Sequence, residues 1–195
     1  MMISDNNFDT NLKIHPKMFA LYLGMGSMVM FFAALSSALL VKRGDFKNWV
    51  HVDIPQSFFY STFVILLSSI TMHIMLTSLK NSLTKKYYLF GLLTLLLSIT
   101  FCYLQYNGWN QLKEQNILLS GNPSGSYIYV ISGFHALHYL FGILFLLLLL
   151  FRFYRKQKLK LDTSSMGLNM LVNYWHFIGI VWVYIFLFFK FIIYK

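Results

Sequence analysis

The chain has 195 residues, of which 57% are hydrophobic and 19% are aromatic. Charged residues make up only 11%, against roughly 25% in soluble domains, so a water-soluble core of this size could not enclose the apolar side chains. A water-soluble globular domain is therefore excluded, and the composition predicts an integral membrane protein.

The formal net charge of +10 is carried mainly by short basic segments that lie between long apolar runs. In a soluble protein such a charge would suggest nucleic acid, but here it favours the anionic surface of a lipid bilayer as the electrostatic partner. We expect no nucleic-acid partner. The single cysteine, Cys102, excludes an internal disulfide and any metal centre built on a cysteine pair.

Five apolar runs are each long enough to cross a bilayer, which takes roughly 20 helical residues. The runs are continuous rather than alternating, which is typical of helices and excludes a membrane β-barrel. We predict an all-α integral membrane protein, a five-helix bundle over residues 17–195 that follows a polar N-terminal tail, residues 1–16. The predicted spans are 17–41, 57–79, 87–107, 127–151 and 169–193.

Several local signals fit these boundaries. The first run carries small residues in two groups, Gly24 to Ser27 and Ala33 to Ser37, which would allow close packing against either another helix of the chain or a partner subunit. The second run begins just after Pro55, whose missing N–H costs little at a helix start. A polar loop, residues 109–126, separates the third and fourth runs and carries turn residues near its end.

The basic residues beside the runs predict the orientation of the bundle. Positive charge accumulates on the cytoplasmic side of a membrane protein, so the side with more Lys and Arg is assigned to the cytoplasm. Ten of the 16 lie on the N-terminal side, which predicts a cytoplasmic N-terminus and an outer C-terminus. These ten are Lys13, Lys17, Lys80, Lys85, Lys86, Arg152, Arg155, Lys156, Lys158 and Lys160; the other six are Lys42, Arg43, Lys47, Lys113, Lys190 and Lys195.

Histidines inside the apolar runs are the clearest candidates for a functional role. His135 and His138 lie three residues apart in the fourth run, which places both rings on one face of a helix. His176 lies in the fifth run and His73 in the second. A rise of about 1.5 Å per residue puts His138 about 16 Å and His176 about 20 Å below the outer face. The rings of His73, His138 and His176 would be neighbours if the three helices pack together.

An imidazole in hydrocarbon needs a partner, so these histidines are either ligands of a haem or metal or hydrogen-bonded contacts between helices. Ligand histidines usually have a second partner, often a carboxylate, that fixes the ring. Because the five predicted spans contain no carboxylate, we favour interhelical hydrogen bonds and expect no metal and no haem in this chain. The acidic residues all lie in the tail or the loops: Asp5, Asp9, Asp45, Asp53, Glu114 and Asp162.

A basic cluster follows the fourth run and includes Arg152, Arg155 and Lys156. Such a cluster ordinarily fixes membrane orientation by the positive-inside rule. The alternative is specific binding of anionic lipid head groups by the same three side chains.

The histidines of the fourth and fifth runs lie in two motifs, Gly133 to Gly142 and Tyr174 to Trp182. Together these motifs resemble subunit III of the haem-copper oxidases, the cytochrome c oxidase subunit III family. The penultimate helix of that family carries a GFHGLH-like motif followed by a glycine, and its last helix carries a YWHF-x-D-x-VW-like motif. Gly179 stands where the family commonly has aspartate, so no role of that acid carries over. The five spans resemble the short bacterial form of the family. The matching residues are Gly133, Phe134, His135, Leu137, His138 and Gly142, then Tyr174, Trp175, His176, Phe177, Val181 and Trp182.

The resemblance implies a non-catalytic subunit of a respiratory terminal oxidase, an oxidoreductase complex of the bacterial inner membrane. It also implies that haem and copper belong to the partner subunits. This chain would pack directly against subunit I, accompany subunit II and retain phospholipids near the oxygen route. Membership of a respiratory supercomplex is a further expectation. No residue of this chain is expected to be catalytic.

Two alternatives remain at this point. Subunit III of a quinol oxidase, or an accessory protein of a nitric oxide reductase, would carry the same motifs. A protein of another class, a self-contained membrane cytochrome or metal-handling protein, would use His73, His138 and His176 as ligands.

Overall fold

The structure is a computed structural model that describes residues 15–45, 52–120, 123–158 and 166–192. Within these ranges the chain forms helices and turns without strands, and each predicted span coincides with one helix except for residue 193, which lies outside the described residues. The all-α, five-helix prediction is confirmed. Residues 1–14 of the predicted tail also lie outside the described part. The helices are α1 (Pro16–Asp45), α2 (Gln56–Lys80), α3 (Thr84–Glu114), α4 (Pro123–Lys158) and α5 (Met166–Ile192).

The predicted loop between the third and fourth spans is shorter than its polar composition suggests. Helix α3 continues to Glu114 and α4 already begins at Pro123. The extension of α3 is stabilised by tertiary contacts: Leu112 is buried, and the side chain of Gln111 donates a hydrogen bond to Ser57 of α2 at 3.0 Å. Packing of one face has therefore overridden the polar character of the segment.

Helices α2 and α3 both end in a left-handed turn residue. Ser82 (φ 57°) and Asn116 (φ 59°) adopt the conformation that closes a Schellman motif. After α2, the amide of Leu83 donates to the carbonyl of Ser78 at 2.9 Å, which satisfies one of the free carbonyls at the helix end. The tight turn directs α3 back alongside α2 as an antiparallel neighbour.

Four of the helices surround a common core, and α1 lies outside them. Helix α2 packs against α3 and α5, and α4 packs against α3 and α5. Among the described residues, α1 contacts α4 and α5 alone. The centre of the core contains the largest side chains of α5, Trp175 and Trp182, with Phe101 of α3 and Tyr139 of α4. This arrangement places the last two helices, which carry both histidine motifs, side by side.

The outer surface of the bundle carries many large apolar side chains. Exposed large hydrophobic side chains occur on every helix, for example Met30, Phe63, Leu92, Phe141 and Ile180. All five helices are long and apolar enough to cross a membrane. An apolar exterior is unfavourable in water and natural in lipid, so the chain is a multi-pass membrane protein.

We expect the end of the bundle that carries the larger share of Lys and Arg, including Lys80 and Arg152, to face the cytoplasm. In a variant whose native Cys102 is replaced by serine, a cysteine introduced at Lys160 should react with a membrane-impermeant thiol reagent only after the cells are permeabilised. Labelling of that cysteine in intact cells would contradict the predicted orientation. A cysteine at Lys195, which is predicted to lie outside, is the matched control and should react in intact cells.

Candidate functional site

His135 lies at the centre of the interface between α4 and α5. Its side chain is fully buried, and Nε2 donates a hydrogen bond to the carbonyl oxygen of Ile178 at 2.9 Å. The ring centroid is 4.9 Å from that of Trp182 and 5.9 Å from that of Phe101. The imidazole therefore joins α4 to the backbone of α5 within an aromatic cluster that also reaches α3.

The two tryptophans of α5 extend the same contact to α2. Trp175 Nε1 donates to Ser68 Oγ at 3.2 Å, and Trp182 Nε1 donates to Thr62 Oγ1 at 3.0 Å. A buried indole N–H needs such a partner, and hydroxyl side chains of a neighbouring helix provide one where no water is available.

Gly142 allows α4 and α5 to approach closely. A Cβ atom at this position would lie 3.3 Å from a ring carbon of Trp175 and 3.3 Å from one of Tyr174, tighter than ordinary packing. A side chain at position 142 would hold the two helices further apart, which explains why a glycine follows the histidine motif of α4. At Gly133, by contrast, a Cβ would meet nothing within 4 Å.

His138 faces a different neighbour from His135. Its Nδ1 is hydrogen-bonded to the carbonyl oxygen of Phe134 in its own helix at 2.7 Å, and its ring lies 6.1 Å from Phe32 of α1. The backbone carbonyl of His138 accepts a hydrogen bond from the Tyr174 hydroxyl at 2.8 Å. The contact between α4 and α5 at this level is therefore made by Tyr174, while the His138 ring turns toward α1.

His73 and His176 lie together in the groove between α2 and α5. Their ring centroids are 5.9 Å apart, and His176 Nδ1 is hydrogen-bonded to the hydroxyl of Ser69. His176 is half-buried, whereas His73 is exposed. Of the three histidines that the sequence placed at similar depth, the structure brings these two together and points the third toward α1.

Two further motif residues lie toward the surface of the bundle. Phe134 is exposed and packs edge-to-face against Phe31 of α1, with ring centroids 5.0 Å apart. Phe177 is half-buried and packs against the hydrophobic core. These two positions support packing between helices and contribute no polar group.

The three basic residues of the predicted lipid cluster are not equivalent. Arg152 lines a cavity of about 300 Å³ at the end of α4, together with Lys17 of α1 and the apolar side chains of Leu149 and Phe153. Arg155 instead places its guanidinium carbon 5.9 Å from the ring centroid of Phe151. The side chain of Lys156 lies outside the described part of the structure.

A row of polar contacts between α2 and α3 was not predicted from the sequence. Gln105 Nε2 donates to Ser61 Oγ at 3.0 Å, and the hydroxyl oxygens of Thr71 and Thr94 are 2.9 Å apart. Spacings of three, four or seven residues between hydroxyl side chains in α2 are the signal that could have revealed this polar face. The described residues contain no group of three His, Cys, Asp or Glu side chains able to hold a metal ion.

Comparison with known proteins gives matches over almost the whole chain. The family described as Cytochrome c oxidase subunit III matches residues 11–194. The cytochrome bo(3) ubiquinol oxidase subunit 3 of Buchnera aphidicola is 27% identical over 88% of this chain and 92% of its own length. The cytochrome c oxidase subunit 3 of Bacillus subtilis is 30% identical over 87% of this chain and 83% of its own. The quinol oxidase subunit 3 of the same bacterium is 24% identical over 85% and 81%.

We expect His135 to contribute more to stability than His138. The change His135→Leu removes the hydrogen bond to Ile178, and intramembrane polar contacts are worth about 0.5–2 kcal/mol. His138→Leu removes a ring bonded only to its own helix and should change stability little. Thermal unfolding of both variants in one detergent measures the difference. A larger loss for His138→Leu would contradict the importance assigned to the buried ring.

Proposed function

The chain belongs to the cytochrome c oxidase subunit III family and is subunit III of a respiratory terminal oxidase, in which we propose that it has a supporting, non-catalytic role. It would stabilise the core of the enzyme and hold lipid beside it, while partner subunits carry haem and copper. Some of its relatives are named as subunits of cytochrome c oxidases and others as subunits of quinol oxidases. The proposed supporting role does not depend on which of these electron donors the oxidase uses.

The observation that carries this proposal is how the motif histidines are used. One ring nitrogen of each histidine is hydrogen-bonded within the chain: His135 to Ile178, His138 to Phe134 and His176 to Ser69. That nitrogen is therefore already engaged by the protein. Two of these bonds connect different helices. Histidines that join helices in this way support a structural role for both motifs.

We further propose that the core subunit, subunit I, covers the groove between α2 and α5. His73 is exposed there, seven residues before the end of α2 and therefore about 10 Å along the helix from Lys80. Imidazoles at membrane depth normally face a protein interior rather than lipid. A surface of subunit I over His73 would enclose the ring within the assembled oxidase. Subunit II would belong to the same complex.

Photo-crosslinking tests this docking face. A photoreactive residue at Ile70, beside His73 on α2, should crosslink the largest subunit of the assembled oxidase. Leu96 of α3 is the matched control, because it is 56% exposed against 57% for Ile70 and lies at a similar level, where Thr71 and Thr94 join the two helices. Crosslinking from Leu96 but not from Ile70 would contradict the proposal, and so would the absence of crosslinks from both.

The cavity beside Arg152 supports the proposal of a bound anionic phospholipid. Arg152 and Lys17 come from different helices and supply positive charge, and the walls between α4 and α5 supply the apolar surface that acyl chains require. Cationic side chains near the cytoplasmic surface attract anionic head groups. The bacterial inner membrane provides such lipids on the side where the N-terminus is predicted to lie.

We expect Arg152→Gln to lower the amount of anionic phospholipid that co-purifies with the oxidase, as measured by native mass spectrometry. Arg155→Gln removes the same charge from the same helix end but from a side chain that lies over Phe151, so it should leave the lipid in place. Equal lipid retention by wild type and Arg152→Gln would contradict a head-group site in this cavity. An equal loss in both variants would indicate only general charge attraction, which also contradicts it.

A further inference from the structure

The buried ring of His135 has an acceptor that its protein surroundings leave unpaired. Because the Ile178 carbonyl can only accept, Nε2 carries the ring proton and Nδ1 has a free lone pair. Nδ1 is buried and has no hydrogen-bond partner among the described residues. An unpaired acceptor in a dry interior costs free energy, so this atom needs a donor.

Open space lies beside Gly179, the residue that follows the hydrogen-bond partner of this ring. Gly179 follows Ile178, whose carbonyl oxygen binds the imidazole, and the glycine is itself buried. It lies on the face of α5 between Trp175 and Trp182, four residues from one and three from the other. Even so, a Cβ atom built there would meet nothing within 4 Å. There is therefore room for a small group beside Gly179, one residue along α5 from the carbonyl that binds His135.

A second unpaired acceptor lies in the neighbouring layer of the core. Gln105 is buried; its Nε2 donates to Ser61, and its Oε1 has no partner among the described residues. Gln105 lies one helical turn from Phe101, whose ring centroid is 5.9 Å from that of His135. Both unpaired atoms in this part of the core are thus acceptors.

We propose that the void at Gly179 holds a buried water molecule that donates a hydrogen bond to Nδ1 of His135. Its second hydrogen is then free for another acceptor of the core, and Oε1 of Gln105 is one without a partner among the described residues. Water suits the site because it is small and has two donors, and buried waters are held where two or more polar groups are otherwise unsatisfied. The acidic residues of the described ranges, Asp45, Asp53 and Glu114, lie at helix ends or in a loop, so a cation bound in the core would have no anionic partner.

Substitution at Gly179 separates a hydrated void from a dry one. In a dry void, Gly179→Ala would raise the melting temperature, since alanine fills space and favours helix more than glycine. In a hydrated void, the methyl group displaces the water and leaves Nδ1 unpaired, so we expect Gly179→Ala to melt below wild type. Gly179→Ser brings its own hydroxyl donor and should melt above Gly179→Ala. Melting is measured on the full chain in the assembled oxidase.

Gly24 of α1 provides the matched control. It too has nothing within 4 Å of an added Cβ, but it is exposed, and its carbonyl already accepts a hydrogen bond from the Ser27 hydroxyl. There, alanine should be at least as stabilising as serine. A higher melting temperature for Gly179→Ala than for wild type and Gly179→Ser would overturn the proposal.

The nitrogen-15 chemical shift of His135 gives a direct second measurement. In wild type, Nδ1 should show the shift of an unprotonated nitrogen that accepts a hydrogen bond. Gly179→Ala should move it to the value of a free lone pair, and Gly179→Ser should move it back. A free or protonated Nδ1 in wild type would overturn the proposal whatever the melting temperatures are.

Discussion

Hydroxyl side chains along α2 hold α3 and α5 against it, because the membrane interior offers these groups no water to bind. On one side, α2 contacts the amide side chains and a threonine of α3. On the other, it contacts both tryptophans and one histidine of α5. The pairs are Ser57–Gln111, Ser61–Gln105, Thr71–Thr94, Ser68–Trp175, Ser69–His176 and Thr62–Trp182. Helix α2 is thus the element on which the four-helix core depends, and α4 completes it through His135 and Tyr139.

The number and type of the helices could be predicted from the sequence, because five uninterrupted apolar runs leave only one way to satisfy the backbone in lipid. The end of α3 could not, since it depends on Leu112 and Gln111 packing against other helices. The depth of each histidine in the membrane could be predicted from the sequence, but the neighbouring helix that its ring faces could not. His135 and His138 are only three residues apart, yet one enters the core and the other turns toward α1, which only the positions of the neighbouring helices decide.

The distribution of polar groups supports an account in which this subunit works through packing. Most of its intramembrane polar side chains are engaged inside the bundle, and the notable exposed one, His73, lies where a core subunit is proposed to dock. The cationic cavity at the C-terminal end of α4 provides a place for lipid beside that assembly. Gly179 leaves space beside it, and the water molecule that we propose there introduces no charge into the core.

The central claim is that this chain supports an oxidase whose chemistry takes place in other subunits, and deletion of the chain tests it most directly. Membranes that lack it should contain a core enzyme with its haem and with nearly the initial rate of dioxygen reduction of wild type. That activity should then decay faster during turnover, and re-expression of the intact chain should restore the wild-type decay. An assembled, haem-loaded core with no activity from the first turnover would contradict the account, because it would place part of the chemistry in this chain.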